Sequence, residues 1–275
     1  MFDATRQRRA EGRPRCLSIA GSDSSGGAGI QADLKTFAAF GCYGTTAVTA
    51  VTAQDTRRVS AIHPVPPAVV RAQIEAVLGD IGADAVKTGM LPSAEVVEAV
   101  ADALDAAPGV PLVVDPVHVA GSGTPLAENA ALEAIAACLL PQTTVLTPNL
   151  PELERLTGRS VETEAMRLEA AEHLLARGAR YVLVKGGHAP GPAVDLLVGA
   201  DGSRVRLEAP RVETRAGHGT GCTLSAAISA GLAGGLGVAE AAARAKDYVS
   251  GALASAEPMG QGHGPLNFFF RLAAP

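Results

Sequence analysis

The run His218-Gly219-Thr220-Gly221-Cys222-Thr223-Leu224-Ser225-Ala226-Ala227 is a glycine-rich turn that leads into a helix of small residues. Gly219 and Gly221 tolerate φ > 0 and let a ligand come close, and the first turn of the helix has amide groups without intrahelical partners. Such a turn binds anions, which makes Gly219, Thr220 and Gly221 a candidate phosphate cradle. Cys222 stands where the helix dipole favours a thiolate, with His218 nearby. Its pKa is expected below the free value, as suits a base or a nucleophile. A lone cysteine is more often a small buried filler; the flanking glycines are what favour chemistry here.

Other chemistry-bearing residues fall where strands are expected to end. Asp23 follows the first strand within Gly21-Ser22-Asp23-Ser24-Ser25-Gly26-Gly27-Ala28-Gly29, and Gln54 closes a Thr/Val/Ala-rich strand. Met90 follows the strand 84–87. Asp115 follows the apolar Pro111-Leu112-Val113-Val114, where a carboxylate has little packing purpose and could hold hydrated Mg²⁺ or a water. Read alone, Asp115 is equally a turn former before Pro116, Glu152 a first-turn partner of the helix dipole, and Lys185 a snorkelling surface lysine. Read with the anion cradle, the set meets the needs of phosphoryl transfer: positioning, a divalent ion and charge neutralisation.

The elements that must position these residues alternate. Apolar strands are followed by glycine-containing turns and by helices with period-3.6 apolar faces: Ile30, Leu34 and Phe37 on one, Val70, Ile74, Val77, Leu78 and Ile81 on a helix opened by Pro67. Helices are also expected over 93–106, 126–139 and 163–177. The segment from Ala193 to Leu207, turning at Asp201-Gly202, reads as an antiparallel hairpin at a sheet edge. The pattern predicts an α/β fold in three layers, α/β/α, with a mostly parallel doubly wound sheet and a small antiparallel edge; polar residues at the carboxyl ends of its strands share one crevice. The C-terminal Leu266-Asn267-Phe268-Phe269-Phe270 is too apolar for a free tail and is expected to dock.

Composition narrows the function classes. The 275 residues are 47% hydrophobic and 3% aromatic, with no Trp, so the core is built from Ala, Val, Leu and Ile. Lys and Arg total 23 against 28 Asp and Glu, a net charge of −5, which offers no basic field for nucleic acid or an anionic membrane. Cys16, Cys42, Cys138 and Cys222 are scattered and form no CxxC, against a disulfide framework or zinc site and in favour of a reducing compartment. No stretch has the apolar length of a membrane span or of a signal peptide, and a cytoplasmic protein is expected. Residues 1–14, with Arg6, Arg8, Arg9 and Arg13, read as a solvated flexible tail, and 15–275 as one domain.

Taken in order, Gly21 to Thr36, Thr52-Ala53-Gln54, Gly89-Met90-Leu91, Thr147-Pro148-Asn149-Leu150-Pro151-Glu152, Lys185-Gly186-Gly187-His188, His218 to Ala227 and Gly262-His263-Gly264-Pro265 resemble the hydroxymethylpyrimidine/phosphomethylpyrimidine kinases of thiamin biosynthesis, in the ribokinase-like superfamily. The resemblance covers nearly the whole chain. It implies ATP- and Mg²⁺-dependent phosphorylation of 4-amino-5-hydroxymethyl-2-methylpyrimidine, then of its monophosphate. It makes Gln54 the pyrimidine-binding amide, whose donor and acceptor match an exocyclic amine beside a ring nitrogen. It adds Asp33, Val117, Gly21 and Asp23 to the substrate pocket with Met90 as apolar wall. Lys185, Thr220 and Gly221 become ATP ligands, Asn149 and Glu152 with Asp115 the Mg²⁺ side, and Cys222 the general base of the first step. It also implies a homodimer acting on small molecules.

Asp55, Thr88 and Ala216-Gly217 depart from the family's pattern, which bears on fine substrate selectivity. Pyridoxal kinase, of the same fold, is the near alternative. A dinucleotide oxidoreductase is the distant one, because Gly27-Ala28-Gly29-Ile30-Gln31-Ala32 fits G-x-G-x-x-A with Asp55 after the next strand. The six residues between Ala20 and Gly27 are too many for that fingerprint's tight turn. A nucleotide-binding regulator without turnover is the third reading, disfavoured by the presence of Lys185, Glu152 and Cys222.

Overall fold

The structure is a computed structural model that describes residues 12–121, 123–187 and 191–271. Most of the expected tail, and His188, lie outside the described residues. The strands β1 (Arg15–Asp23), β2 (Tyr43–Gln54), β3 (Val59–Pro64), β4 (Ala85–Thr88), β5 (Leu112–Val114), β6 (Val145–Leu146), β7 (Tyr181–Val184), β8 (Ala193–Gly199) and β9 (Arg204–Ala209) form one sheet in the order β3-β2-β1-β4-β5-β6-β7-β8-β9. The stretch from β2 to β7 is parallel throughout. The sequence pointed to one antiparallel edge; there are two, because β3 folds back on β2 as well as β8–β9 on β7. The β2–β3 connection is a short turn in which the Asp55 carboxylate accepts the Arg57 and Arg58 amides, too short for a parallel crossover.

Helices cover both faces. On one lie α1 (Gly29–Ala39), α7 (Thr220–Ala233) and α8 (Val238–Ala254); on the other lie α2 (Pro67–Asp80), α3 (Ala94–Leu104), α4 (Asn129–Ala134), α5 (Leu150–Thr157) and α6 (Glu164–Leu175). The strands serve both layers by strict alternation. Leu112 and Val114 of β5 join the core under α3 and α4 while Val113 joins the core under α7, and Val182, Leu183 and Val184 of β7 divide in the same way. The helix expected over 126–139 is α4 followed by a π turn at Ile135–Leu139. Ser93 and Thr163 cap α3 and α6.

Two loops meet at the carboxyl ends of the strands. Gly219 has φ +85°, and a Cβ there would lie 1.8 Å from the Gly27 carbonyl oxygen, so only glycine allows the turn before α7 to press on the β1–α1 loop. The C-terminal segment docks as expected, with Leu266 and Phe268 buried and the Tyr248 hydroxyl donating to the Phe268 carbonyl at 2.6 Å. Its Gly264 carbonyl accepts the His218 amide, and the His263 amide donates to Thr56, so the tail ties the β2–β3 turn to the cradle.

Candidate active site

A cleft of about 900 Å³ runs along the carboxyl ends of the parallel strands. At one end Gly21, Gln54, Met90 and Val117 line it; Asp115, Glu152, Lys185, Gly221 and Cys222 occupy the middle; Asp195, Val212, Lys246, Val249 and Leu253 line the other end. A Cβ on Gly21 would stand 2.9 Å from the Met90 sulfur, so the glycine leaves room for the methionine wall.

The middle is built on two helix starts. Helix α7 begins at Thr220 with no side chain capping it, and Gly221 and Cys222 line the cleft from its first turn. The Thr220 hydroxyl turns back to the Gly217 carbonyl at 2.7 Å. Opposite, Asn149 and Glu152 form a reciprocal capping box: the Asn149 side chain accepts the Glu152 amide at 2.9 Å, and the Glu152 carboxylate accepts the Asn149 amide at 2.8 Å. The Asn149 carboxamide oxygen is therefore committed to the helix start, and the residue's part is to aim Glu152.

Lys185, at the end of β7, places Nζ 2.8 Å from Asp115 and 3.7 Å from Glu152. Thr147 and Ser225 also donate to the Asp115 oxygens, at 3.2 and 3.3 Å. Burial opposes every charge in this group, but Lys185 and Lys87 hold the Asp115 carboxyl below its ordinary value. Burial lifts Glu152 to about 7 against the pull of Lys185. Asp115 and Glu152 raise the Lys185 pKa and keep it protonated despite its burial.

Several expectations change on contact with this geometry. Asp33 does not line the cleft: it is fully buried on α1, where its oxygens accept Lys87 Nζ at 2.9 and 3.0 Å and the Ser18 hydroxyl. The Cys222 thiol moves up, to about 11, not down. Burial and the Asp33 and Asp115 carboxylates outweigh Lys87 and the Gly29 amide. Nor does His218 assist it; its Nε2 lies 2.8 Å from Asp23. Asp23 in turn spends its carboxylate on the loop, accepting the Ser25, Gly27 and Ala28 amides and the Ser25 hydroxyl. Though burial works against it, His218 and Ser25 hold that carboxyl at about 2. With its Nε2 hydrogen given to Asp23, His218 cannot also accept from the Gln54 amide nitrogen 3.2 Å away, so the carboxamide keeps capacity for a ligand.

Comparison with known proteins decides the family. The phosphomethylpyrimidine kinase family profile matches residues 23–267. The chain belongs to the phosphomethylpyrimidine kinase family. The hydroxymethylpyrimidine/phosphomethylpyrimidine kinase of Streptomyces coelicolor is 51% identical to it over 255 residues, 92% of this chain and 94% of that one. Among solved structures, an ADP complex of Bacillus subtilis pyridoxal kinase has a TM-score of 0.88 at 38% identity, covering 95% of this chain and 100% of that one. Clostridium difficile phosphomethylpyrimidine kinase has a TM-score of 0.77 at 41% identity, over 86% of this chain and 98% of that one. The fold is thus that of the ribokinase-like phosphomethylpyrimidine and pyridoxal kinases.

Sequence reasoning missed several residues of this phosphomethylpyrimidine kinase family member. Asp195 and Lys246 form a buried pair at 2.8 Å in the far end of the cleft, and Asp195 also accepts the Gly186 amide. His118 and Arg155 line the wall next to Glu152, with Arg155 Nη1 3.0 Å from His118 Nε2. Burial and Arg155 lower the His118 pKa. Lys87 carried a signal: a lysine inside a central strand, here Ala85–Thr88, which is buried throughout, must find an acid.

Proposed function

We propose that the chain transfers the terminal phosphate of ATP to 4-amino-5-hydroxymethyl-2-methylpyrimidine and then to the resulting monophosphate, supplying the pyrimidine diphosphate for thiamine biosynthesis. The observation that carries this reading is that an uncapped helix start, a lysine between two carboxylates and a carboxamide-and-methionine pocket line a single cleft. Among the described residues no helix is long and apolar enough to cross a membrane. A cytoplasmic homodimer, one domain over 15–275, is the form in which we place the activity.

Each residue then has a task. Gln54 reads the amine and ring nitrogen of the pyrimidine, and Met90, Val117 and Gly21 enclose the ring. The first-turn amides of Gly221 and Cys222 and the Lys185 ammonium stabilise charge on the transferring phosphoryl group. Among the described residues no three His, Cys, Asp or Glu side chains form a metal cage. Two carboxylates, Asp115 and Glu152, suit Mg²⁺, which takes one or two protein oxygens and completes its shell with phosphate and water. When bound, the ion neutralises phosphate charge. The acceptor oxygen bonds to the terminal phosphorus as the bond to the ADP oxygen breaks.

In the first step the alcohol must also lose a proton, and we assign its acceptor as Cys222. With its thiol near 11, little thiolate exists at neutral pH, so this step should speed up as pH rises. A phosphate monoester is already largely ionised and needs no base.

The test is Mg·ATP turnover with the hydroxymethylpyrimidine, its monophosphate and pyridoxal in parallel, with products separated by chromatography. Mono- and then diphosphate formation is expected. Turnover of pyridoxal alone would keep the mechanism and reassign the substrate, as the likeness to a pyridoxal kinase permits. Cys222→Ala should cut alcohol phosphorylation by about 10²–10⁴-fold and monophosphate phosphorylation far less. Equal losses would remove the base role.

A further inference from the structure

Arg155 follows Glu152 by three residues on α5, so the two side chains leave the same face of the helix, and both line the cleft. An arginine so placed is close enough to pair with the glutamate. It turns instead to His118, at 3.0 Å, on the segment that follows β5. A guanidinium only donates, so His118 accepts through Nε2, is neutral, and carries its hydrogen on Nδ1. That Nδ1 is enclosed without a partner among the described residues, in a residue only 5% exposed. Burying an imidazole with one nitrogen unsatisfied disfavours the folded state. What the arrangement secures is the direction of one guanidinium.

The charges of the cleft say what that guanidinium is for. Lys185 is shared by Asp115 and Glu152, Lys246 pairs with Asp195, His218 bonds to Asp23, and Arg211 donates to the Gly187 and Gly191 carbonyls. Arg155 is exposed and has no carboxylate within ion-pair distance among the described residues. One of its nitrogens is engaged, which leaves the rest of a planar fork that matches two oxygens of a phosphate. On the wall beside Glu152, Arg155 is thus a cation that no described carboxylate offsets, and it adds to the Lys185 ammonium and the amides at the start of α7 in meeting a phosphorylated ligand.

We infer that Arg155, oriented by His118, is a phosphate-binding arm on the wall of the cleft beside Glu152. The inference rests on the kinase reading and deepens it by naming a residue that reads phosphate. Two ligands of that reaction bring the same tetrahedral anion: the nucleotide, through its terminal phosphates, and the pyrimidine monophosphate, through its ester.

Calorimetric titration of the full chain separates them. A non-hydrolysable ATP analogue, the pyrimidine monophosphate and the unphosphorylated pyrimidine are each titrated into the parent protein, Arg155→Ala, Arg155→Lys, His118→Phe and His118→Gln. Arg155→Ala should bind one phosphorylated ligand on the order of 10- to 100-fold more weakly, with the unphosphorylated pyrimidine bound as before. Loss with the ATP analogue places the arm on the nucleotide; loss with the monophosphate places it on the acceptor. Arg155→Lys should recover only part, because an ammonium is a point charge. His118→Phe should weaken the same ligand by a smaller factor, and His118→Gln, which keeps an acceptor, should restore it; a purely structural histidine would not single out one ligand. Arg155 is exposed, so its variants should keep the parent melting temperature. Unchanged binding of both phosphorylated ligands by Arg155→Ala would overturn the arm. If the parent protein bound neither nucleotide nor pyrimidine, the kinase reading would fall, and titration with pyrophosphate against Arg155→Ala would still decide the arm by itself.

Discussion

Lys87 and Lys185 each hold an ammonium within 3.0 Å of an aspartate at the middle of the same sheet, yet their surroundings differ in one respect that sets their roles. The Lys87–Asp33 pair is sealed, both side chains at 0% exposure, with Ser18 on the remaining lone pairs: one positive charge against one negative. At Lys185 the charge is uneven, because Asp115 and Glu152 share the one ammonium in ion-pair contact with them, and that lysine side chain is 13% exposed and lines the cleft. A balanced, closed pair has nothing left to offer a ligand. A surplus of buried carboxylate, open on one side, has room for one more cation. Pairing as such does not mark a site; the residual charge does.

The largest effect that would test this contrast is on stability. Lys87→Met strands Asp33 in the core, and breaking a buried pair from one side costs about 3–5 kcal/mol, read by urea unfolding. Replacing both residues, Lys87→Met with Asp33→Leu, should recover much of the loss, since no charge is then left unpaired. A single variant as stable as the parent would mean that the pair is not the closed structural unit described here. Lys185→Met should reverse the profile. Turnover falls by about 10²–10³-fold, the range for removing one preorganised stabilising group, while the unfolding free energy changes less than for Lys87→Met because Glu152 can take up a proton and Asp115 borders the cleft. If the two variants lost activity and stability alike, the distinction between the pairs would collapse.

The contrast also explains how far the sequence could be read. Alternating apolar strands and helices, Pro67 at a helix start and the Asp201-Gly202 hairpin made the layered sheet legible, because each rests on local periodicity and turn chemistry. That Gly219 to Gly221, Gln54, Asp115, Glu152 and Lys185 would line one cleft was legible because they stand at or beyond the carboxyl ends of parallel strands, which share one rim. Two things were not. Asp33 sits on a helix among residues that carry the family resemblance, and nothing local tells that its carboxylate points inward to a lysine 54 positions away. Cys222 has the right helix terminus, but its pKa is set by how much water reaches the sulfur and by the distant Asp33 and Asp115, both properties of the assembled core. Long-range partners such as Asp195 with Lys246 and His118 with Arg155 were out of reach for the same reason.

The smallest expected effect sharpens the contrast most, because it reads the surplus charge directly. Burial lifts Glu152 from an ordinary value of 4.5 to about 7. The folded chain then holds that proton more tightly than the unfolded chain does. Its contribution to stability is complete below pH 4.5 and is lost as pH rises through 7. Glu152→Gln has no proton to lose. In chelator-treated protein the difference in unfolding free energy should therefore move in favour of the glutamine variant between those limits, by on the order of 3 kcal/mol, and level off above them. Thermal melts of both proteins across that range measure it. Adding Mg²⁺ should shift the same transition to lower pH, since a divalent cation beside Asp115 favours the ionised carboxylate. A flat difference curve without metal would show that Lys185 alone satisfies both acids, and the triad would then be as closed as the Lys87 pair. A sloping curve that Mg²⁺ leaves in place would keep the surplus charge but deny that this ion is what the cleft is built to take.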